Sequence, residues 1–339
     1  MKPHAEFSSL PNGFPATASC PICHAAQLSA LPPGRDRLFG LAKGAFHLLR
    51  CASCECIFQN PLPDKGRLGE FYPQEYWWPG QAPQENLRTR IFRNLEKTYR
   101  ELVVQDHARF VKKWAGKLSS DEKLLLDVGC GNGTFLHAAA SHGFVPHGMD
   151  VSARAVEIAR KEYGYPVRQG EIGAKVWDDC RFDFITMFHV MEHLPDPRLA
   201  LKYARELLRP AGVLILQVPN VSSMQARIFG SRWSGLDVPR HLVNFTPRSL
   251  ALLLEEEGYE FEVISRFSLR DNPASIASSL APWLDPVRRK GRGLDSRPVW
   301  NGLMEIVYFG LFLLVLPAAF LESACGRGGT IWAWARPRS

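Results

Sequence analysis

Apolar and polar positions change rhythm three times along this chain. Between residues 84 and 118 apolar side chains recur at helical spacing. Leu87, Ile91, Leu95, Tyr99, Leu102 and Phe110 fall on one face and Arg and Lys elsewhere, which predicts one or two helices. From residue 123 the rhythm becomes short apolar runs alternating with amphipathic ones. The runs predict strands over 123–128, 144–149, 165–169, 182–188, 213–218 and 259–267, and helices over 133–141, 153–162, 197–208 and 247–257. Ser152 and Thr246 are placed to cap two of these helices; Pro210 and Gly212 end the third, and Gly258 ends the fourth. Such alternation is what a doubly wound parallel sheet requires. Residues 306–321 are then almost wholly apolar, and the stretch from Gly328 to Ala335 reads as a turn followed by a strand.

Composition adds compartment and boundaries. Hydrophobic residues make up 46% and charged residues 22%, enough for a sizeable core. Residues 1–19 are rich in Pro, Ala and Ser without an apolar run, which predicts a disordered lead-in and no signal peptide. A cytoplasmic setting follows, in which cysteines are reduced unless they bind metal. The remaining boundaries expected are a cysteine-rich module over 20–75, a helical linker over 76–120, a core over 121–271, an apolar and basic helical insertion over 272–326, and a final strand and tail over 327–339. Net charge is +1 over residues 1–75, +5 over 76–120, −3 over 121–271 and +4 over 272–339. The excess positive charge therefore flanks the core.

Cys20-Pro-Ile-Cys23 and Cys51-Ala-Ser-Cys54 are two C-x2-C pairs. Each can form a knuckle presenting two thiolates, and together they predict a four-cysteine structural zinc site, with a hairpin excursion between them. His24 and Cys56 lie close enough to stand as spare ligands. Beyond them, the Pro- and aromatic-rich stretch through Phe71-Tyr72-Pro73 and Tyr76-Trp77-Trp78 reads as a packed connector.

Residues 124–135 carry the chemistry. An apolar run ends in Asp127, glycines follow at Gly129, Gly131 and Gly133, and an amphipathic run begins. The next apolar segment ends in Asp150, suited to accept hydrogen bonds from two ribose hydroxyls. The dinucleotide fingerprint fails because its sixth position is Thr134, and a carboxylate at Asp127 suits a cationic ligand better than a pyrophosphate. The pattern Asp-x-Gly-x-Gly-x-Gly resembles motif I of the class I S-adenosylmethionine (SAM)-dependent methyltransferases.

Further phrases extend the resemblance. Phe182 to Ile185 with His189-Val190-Met191-Glu192-His193-Leu194-Pro195 is similar to the fourth strand and following loop of small-molecule methyltransferases. Leu208-Arg209-Pro210-Ala211-Gly212 resembles their turn into strand five. Together with Val218-Pro219-Asn220 and Pro239 to Thr246, these phrases are similar to a bacterial subgroup with an amino-terminal cysteine-rich module. The resemblance implies a seven-stranded Rossmann-like methyltransferase sheet whose last strand lies antiparallel between strands five and six. Ligands of such sheets sit at the carboxyl ends of the strands. Asp127, the three glycines and Asp150 would then bind SAM, with Glu171 toward the adenine and Phe188 and His189 flanking it.

His189, His193 and His241 fall on substrate-side loops and are candidates for the base that takes a proton from the acceptor. Sugar C-methyltransferases of this kind carry a Glu-His pair where this chain has Arg240-His241, so Arg240 suits an anionic substrate or a carboxylate partner. Glu192-His193 could instead brace the loop, and Trp233 could anchor it. These features predict methyl transfer to an oxygen or carbon of a small-molecule, glycan or lipid-linked acceptor. The alternative, an RNA-base methyltransferase gripping RNA through the zinc module, asks for a basic module, yet residues 1–75 are nearly neutral. Nucleic acid is therefore not an expected partner.

The apolar segment, taken as 299–321, is preceded by Arg288, Arg289, Lys290, Arg292 and Arg297. If residues 330–335 return to the sheet, both ends of the segment lie on one side and a single crossing is impossible. What remains is a helix lying in the membrane interface, a re-entrant hairpin bent near Pro317, or a lid or dimer surface. The basic run would favour anionic lipid on the inner face of the membrane.

Overall fold

The computed structural model describes residues 19–63, 65–73, 87–115, 123–173, 176–265, 267–294 and 298–338, with backbone alone at 65, 87–100, 265, 298 and 299. The lead-in before residue 19, the aromatic cluster at Tyr76 to Trp78, and Arg297 lie outside the described residues, as do the side chains of Leu87, Ile91, Leu95 and Tyr99.

The chain opens with a hairpin of β1 (Leu28–Gly34) and β2 (Phe46–Cys51), followed by β3 (Ile57–Gln59). One long helix, α1 (Leu87–Ala115), leads into the core. There β4 (Lys123–Val128), α2 (Thr134–Ser141), β5 (Phe144–Asp150), α3 (Ala153–Tyr163), β6 (Val167–Gln169), β7 (Phe182–Phe188), α4 (Pro197–Leu207) and β8 (Leu208–Pro219) alternate as predicted. A longer excursion carries α5 (Met224–Phe229) and the two-residue β9 (Val243–Asn244) before α6 (Pro247–Glu256) and β10 (Tyr259–Ser265). The remainder is helical, α7 (Asp271–Leu280), α8 (Pro286–Gly291) and α9 (Pro298–Ala324), until β11 (Thr330–Pro337).

The expected caps are present. Ser152 Oγ accepts from Ala155 N at 3.2 Å, and Thr246 forms a reciprocal capping box with Ser249. The turn expected at Pro210–Gly212 is absorbed into β8 as an irregularity. Phe182 pairs Leu208, but Phe184 already pairs Val213, so the intervening residues loop out of register.

The seven-stranded sheet has the order β10-β11-β8-β7-β4-β5-β6, with β11 antiparallel to both neighbours, as the final strand was predicted to be. Alternate residues feed its two faces. Leu125, Phe184, Val213, Ile215 and Trp332 pack under α1 and α2 through Phe110, Val111, Trp114 and Phe135. Leu126, Ile185, Leu214, Leu216 and Ile331 pack under α4 and α6 through Leu201, Leu250 and Leu253. Cys20, Ile22, Cys54 and Phe58 belong to this second cluster. The amino-terminal module thus shares the core of the main sheet. Its own sheet, β1-β2-β3-β9, is completed by a strand from that core.

α9 runs through Pro317 as one continuous helix, so the hairpin bend considered there is not formed. A proline removes one backbone hydrogen bond without necessarily ending a helix. Three arginines of the basic run before α9 are turned to the body, while Lys290 is exposed. Arg288 Nε donates to Arg37 O at 3.0 Å, Arg292 Nε to Leu38 O at 2.9 Å, and Arg289 Nη2 to Asn301 Oδ1 at 2.6 Å. These carbonyls and the amide hold α8 against the loop after β1 and against the start of α9.

Candidate functional site

The turn between β4 and α2 is held open by three glycines in left-handed conformation, at φ +74° for Gly129, +53° for Gly131 and +82° for Gly133. Gly129 N donates to Met149 O at 2.8 Å, pinning the turn to β5. A Cβ on Gly129 would lie 2.7 Å from Val190 Cγ2. The turn therefore leaves a backbone cradle between the ends of two adjacent strands, with a carboxylate at each end. Asp127 is buried and accepts from Thr186 Oγ1 at 2.6 Å; burial pushes its pKa up to about 7, and the charge of Asp150 adds to that. Asp150 accepts from Gly131 N at 2.9 Å and Ser152 N at 2.8 Å, and burial raises its pKa also. Glu171 is exposed one residue past Gly170, whose N–H donates to Asp150 O at 3.0 Å. Phe188 ends β7 half-buried, its ring 5.0 Å from Phe135, 4.7 Å from His107 and 5.6 Å from Trp332. The predicted SAM ligands thus share the carboxyl edge of the sheet, with Phe188 in the wall beneath α1 and α2.

The three histidines are brought together at the same edge by a buried polar chain. His189, at φ +57°, places Nδ1 3.1 Å from Glu192 Oε1 and Nε2 3.1 Å from Asp271 Oδ2. Burial alone would lower its pKa, but Asp271 and Glu192 overcome burial and raise it to about 9. Those carboxylates are correspondingly held below their usual range, against burial, by the imidazolium between them. Beyond Asp271 the chain continues through Gln217, whose Nε2 donates to Asp271 Oδ2 at 2.9 Å, to His107, 2.6 Å from Gln217 Oε1. On the other side Glu192 faces His241, with Oε1 4.0 Å from Nε2. Glu192 Oε2 is buried without a hydrogen-bond partner among the described residues. Burial holds His241 down to about 4, and the neighbouring His193 adds to this. Its Nδ1 lies 2.9 Å from Gly235 O, so the neutral ring carries its proton there and leaves the Nε2 lone pair toward Glu192. The rings of His193 and His241 meet edge to face at 4.7 Å, and His193 Nδ1 is 3.0 Å from both Tyr72 Oη and Arg240 O.

Arg240 finds carboxylate partners. Its guanidinium is buried, donating to Asp36 Oδ1 at 3.0 Å and to Asp237 Oδ1 at 2.6 Å, so it ties the substrate-side loop to the amino-terminal module. Trp233 is a loop anchor, buried with Nε1 donating to Gln225 Oε1 at 3.0 Å. Sequence reasoning missed His107, Thr186, Gln217 and Asp271 and read Tyr72 only as part of a packed connector. Each acquires its place only when distant segments meet.

The cysteines form two copies of one turn. His24 N donates to Cys20 O at 3.0 Å and Glu55 N to Cys51 O at 3.1 Å, and both His24 and Glu55 adopt positive φ, +57° and +62°. The four sulfurs of Cys20, Cys23, Cys51 and Cys54 lie within 4.8 Å of one another. Cys20 and Cys54 are 3.6 Å apart and Cys23 and Cys51 3.5 Å, close to the roughly 3.8 Å edge of a tetrahedron with zinc–sulfur bonds of about 2.3 Å. The donor set therefore fits zinc. Cys56 is a fifth thiol, itself buried, 3.5 Å from Cys20 and 3.4 Å from Cys54. A shallow cavity of about 520 Å³ lies away from these centres, beside β6 and the end of α3, and holds none of the predicted site residues.

Comparison with known proteins bears on this edge of the sheet. A family model described as a methyltransferase domain matches residues 95–264, half of the chain. The chain is 35% identical over 105 residues to a ubiquinone biosynthesis O-methyltransferase of Coxiella burnetii (strain RSA 493 / Nine Mile phase I), covering 29% of this chain and 44% of that one. It is 33% identical over 122 residues to the protein of the same name from Histophilus somni (strain 2336), covering 33% and 50%. The chain spans about half the length of these curated relatives. Among solved structures it is similar to the plantazolicin methyltransferase BamL in complex with a desmethyl analogue and SAH, at 16% identity and TM-score 0.47, covering 78% of this chain and 94% of that one. It is also similar to a SAM-dependent methyltransferase from Archaeoglobus fulgidus, at 16% identity and TM-score 0.44, covering 72% and 99%.

Proposed function

The chain belongs to the methyltransferase-domain family, and from that premise we propose that it transfers the methyl group of SAM to an oxygen of a small-molecule or lipid-linked acceptor. The observation that carries the reading is the glycine turn between two carboxylates at the ends of adjacent strands. Asp150 offers its carboxylate to the ribose hydroxyls. Asp127, which burial leaves only half ionised near neutrality, gains from an ammonium group beside it. Bound there, SAM supplies a methyl group on a sulfonium sulfur, open to in-line attack.

The acceptor's hydroxyl must be aligned and must lose a proton. His241 is neutral with a lone pair on Nε2, and the 4.0 Å between Nε2 and Glu192 Oε1 is a gap across which a hydroxyl can contact both groups. Glu192 stays anionic beside His189 and favours the imidazolium that forms when His241 takes the proton. His189 hydrogen-bonds Glu192 through Nδ1 and forms an ion pair with Asp271 on its Nε2 side. It acts as a fixed cation that sets Glu192, while His193 forms the adjoining wall. The O-methyltransferase names of the partial relatives support an oxygen acceptor.

Zinc would be held by Cys20, Cys23, Cys51 and Cys54 and would act structurally, since four thiolates leave no open position. The module it would brace is turned inward. Gln59 Nε2 donates to Pro239 O at 2.9 Å and His241 O at 2.8 Å. That contact supports a scaffolding role for the module rather than RNA binding.

The test is calorimetry with SAH alongside transfer of labelled methyl from SAM into a fractionated metabolite and lipid extract. Asp150→Ala should lose on the order of 1–3 kcal/mol of SAH affinity, and His241→Ala should keep that affinity while losing transfer. Unchanged SAH affinity in Asp150→Ala, or preferential binding of NAD, would refute the assignment.

A further inference from the structure

α9 is pinned to the body along one face only. Its buried positions are Phe312, Val315, Ala319, Glu322 and Ser323. Asn272 Nδ2 on α7 donates to Ser323 Oγ at 2.7 Å, Gln225 Nε2 on α5 donates to Glu322 Oε2 at 2.9 Å, and the Ser278 and Tyr308 hydroxyls meet at 2.9 Å. These polar contacts fix the rotation of the helix. The half turned outward exposes Leu303, Val307, Leu313, Leu314, Phe320 and Leu321, with Leu314 at 76%. No Lys or Arg occurs from Pro298 to Gly326, and within Trp300–Ala324 only 17% of the most apolar window is buried. A core helix buries its apolar side; this one presents it over about 30 Å of length, from Trp300 to Leu321.

We propose that the outward half of α9 is a membrane-docking surface, on which the protein lies at a bilayer face with the helix parallel to it. Three observations choose lipid as the occupant. First, both ends of α9 are fastened to the same body, by Arg289 to Asn301 at one end and by Asn272 to Ser323 at the other, so the helix lies flat rather than crossing. Second, its surroundings match a headgroup layer. Trp300 and, just before α8, Trp283 are more than half exposed, as suits aromatic rings at a membrane interface. Arg227 and Arg327 are exposed near its far end, and Asp285 and Glu322 are buried, with Glu305 an exposed acidic residue on α9. Third, the side chains from Phe309 to Leu321 offer neither donor nor acceptor, whereas a protein–protein interface carries about one hydrogen bond per 100–200 Å². Because Arg288 and Arg292 are committed to carbonyls, the apolar face rather than a basic cluster carries the attachment.

The experiment is flotation of the full chain with vesicles of phosphatidylethanolamine and phosphatidylglycerol, and it is independent of methyl transfer. The wild type should rise with the vesicles at low and at high salt, since screening weakens charge but not apolar burial. A Leu314→Glu/Leu321→Glu variant, altered at two exposed positions, should float about tenfold less or worse while its thermal melt by circular dichroism is unchanged. Complete release by salt would overturn the proposal in favour of charge alone. A wild type that stays unbound and forms a dimer dissolved by the same variant would show that a second copy covers the face. Resistance to carbonate extraction, with residues 330–338 accessible only from the far side of the membrane, would show a crossing.

Discussion

Asp127 shows what a residue gains from its neighbours and what its own letter already reveals. Its place at the end of an apolar run, before three alternate glycines, was enough to set it near a cationic ligand. Its burial adds a consequence. A carboxyl whose pKa burial has raised to about 7 is partly protonated at neutral pH, and a ligand ammonium beside it favours the charged form. Binding must therefore release a proton. Calorimetry of SAH binding at pH 7 in buffers of different ionisation enthalpy should show net proton release. The release should fade above about pH 8, where Asp127 is already ionised, and should vanish in Asp127→Asn. His189 and Asp271 show the opposite case. His189 was legible as a substrate-side histidine, but its cationic state depends on a carboxylate 82 positions away in the sequence, and no local pattern signals such a partner.

At the scale of single elements, the strands and helices from 123 to 265 other than α5 and β9 were legible because each declares itself within a short stretch. The glycine turn shows how closely geometry restricts sequence there. Gly129→Ala combines a positive φ with a Cβ 2.7 Å from Val190 Cγ2, whereas Gly164→Ala has φ +71° with open space around it. The second change should cost about 1–2 kcal/mol in denaturant unfolding from the left-handed conformation alone. The first should cost more than that and should also weaken SAH binding. Equal costs would mean that Val190 gives way freely. What no short stretch contained was β9. Two residues form a strand there only because β3 lies alongside, with Phe58 opposite Val243. The start of β8 was displaced for a similar reason: Leu208 pairs with Phe182, and this tertiary contact outweighs the local Pro and Gly.

For the whole molecule, the sequence suggested a module, a linker and a core in series, whereas packing joins module and core. Buried Cys20, Cys54 and Phe58 belong to the cluster that holds Leu214 and Leu250, and Thr246 Oγ1 donates to Cys54 O at 2.9 Å. Spacing picked out the four cysteines that cluster but could not show that they back onto the loop bearing His241. Metal analysis should find about one zinc per chain, lost in Cys20→Ser/Cys51→Ser and kept in Cys56→Ser. Loss in Cys56→Ser alone would move the fifth thiol into the ligand set.

β11, lodged between β8 and β10, has a consequence for how the chain is made. The ribosome releases α9 before the strand that completes the sheet, so for a time the most apolar helix is out while β8 and β10 have no neighbour between them. An insertion machinery that took α9 as a span would carry β11 to the wrong side and leave that gap unfilled. Native folding thus depends on Asn272, Gln225 and Ser278 capturing α9 first. Weakening that capture should divert newly made chains into the membrane, even where the finished protein would have been stable.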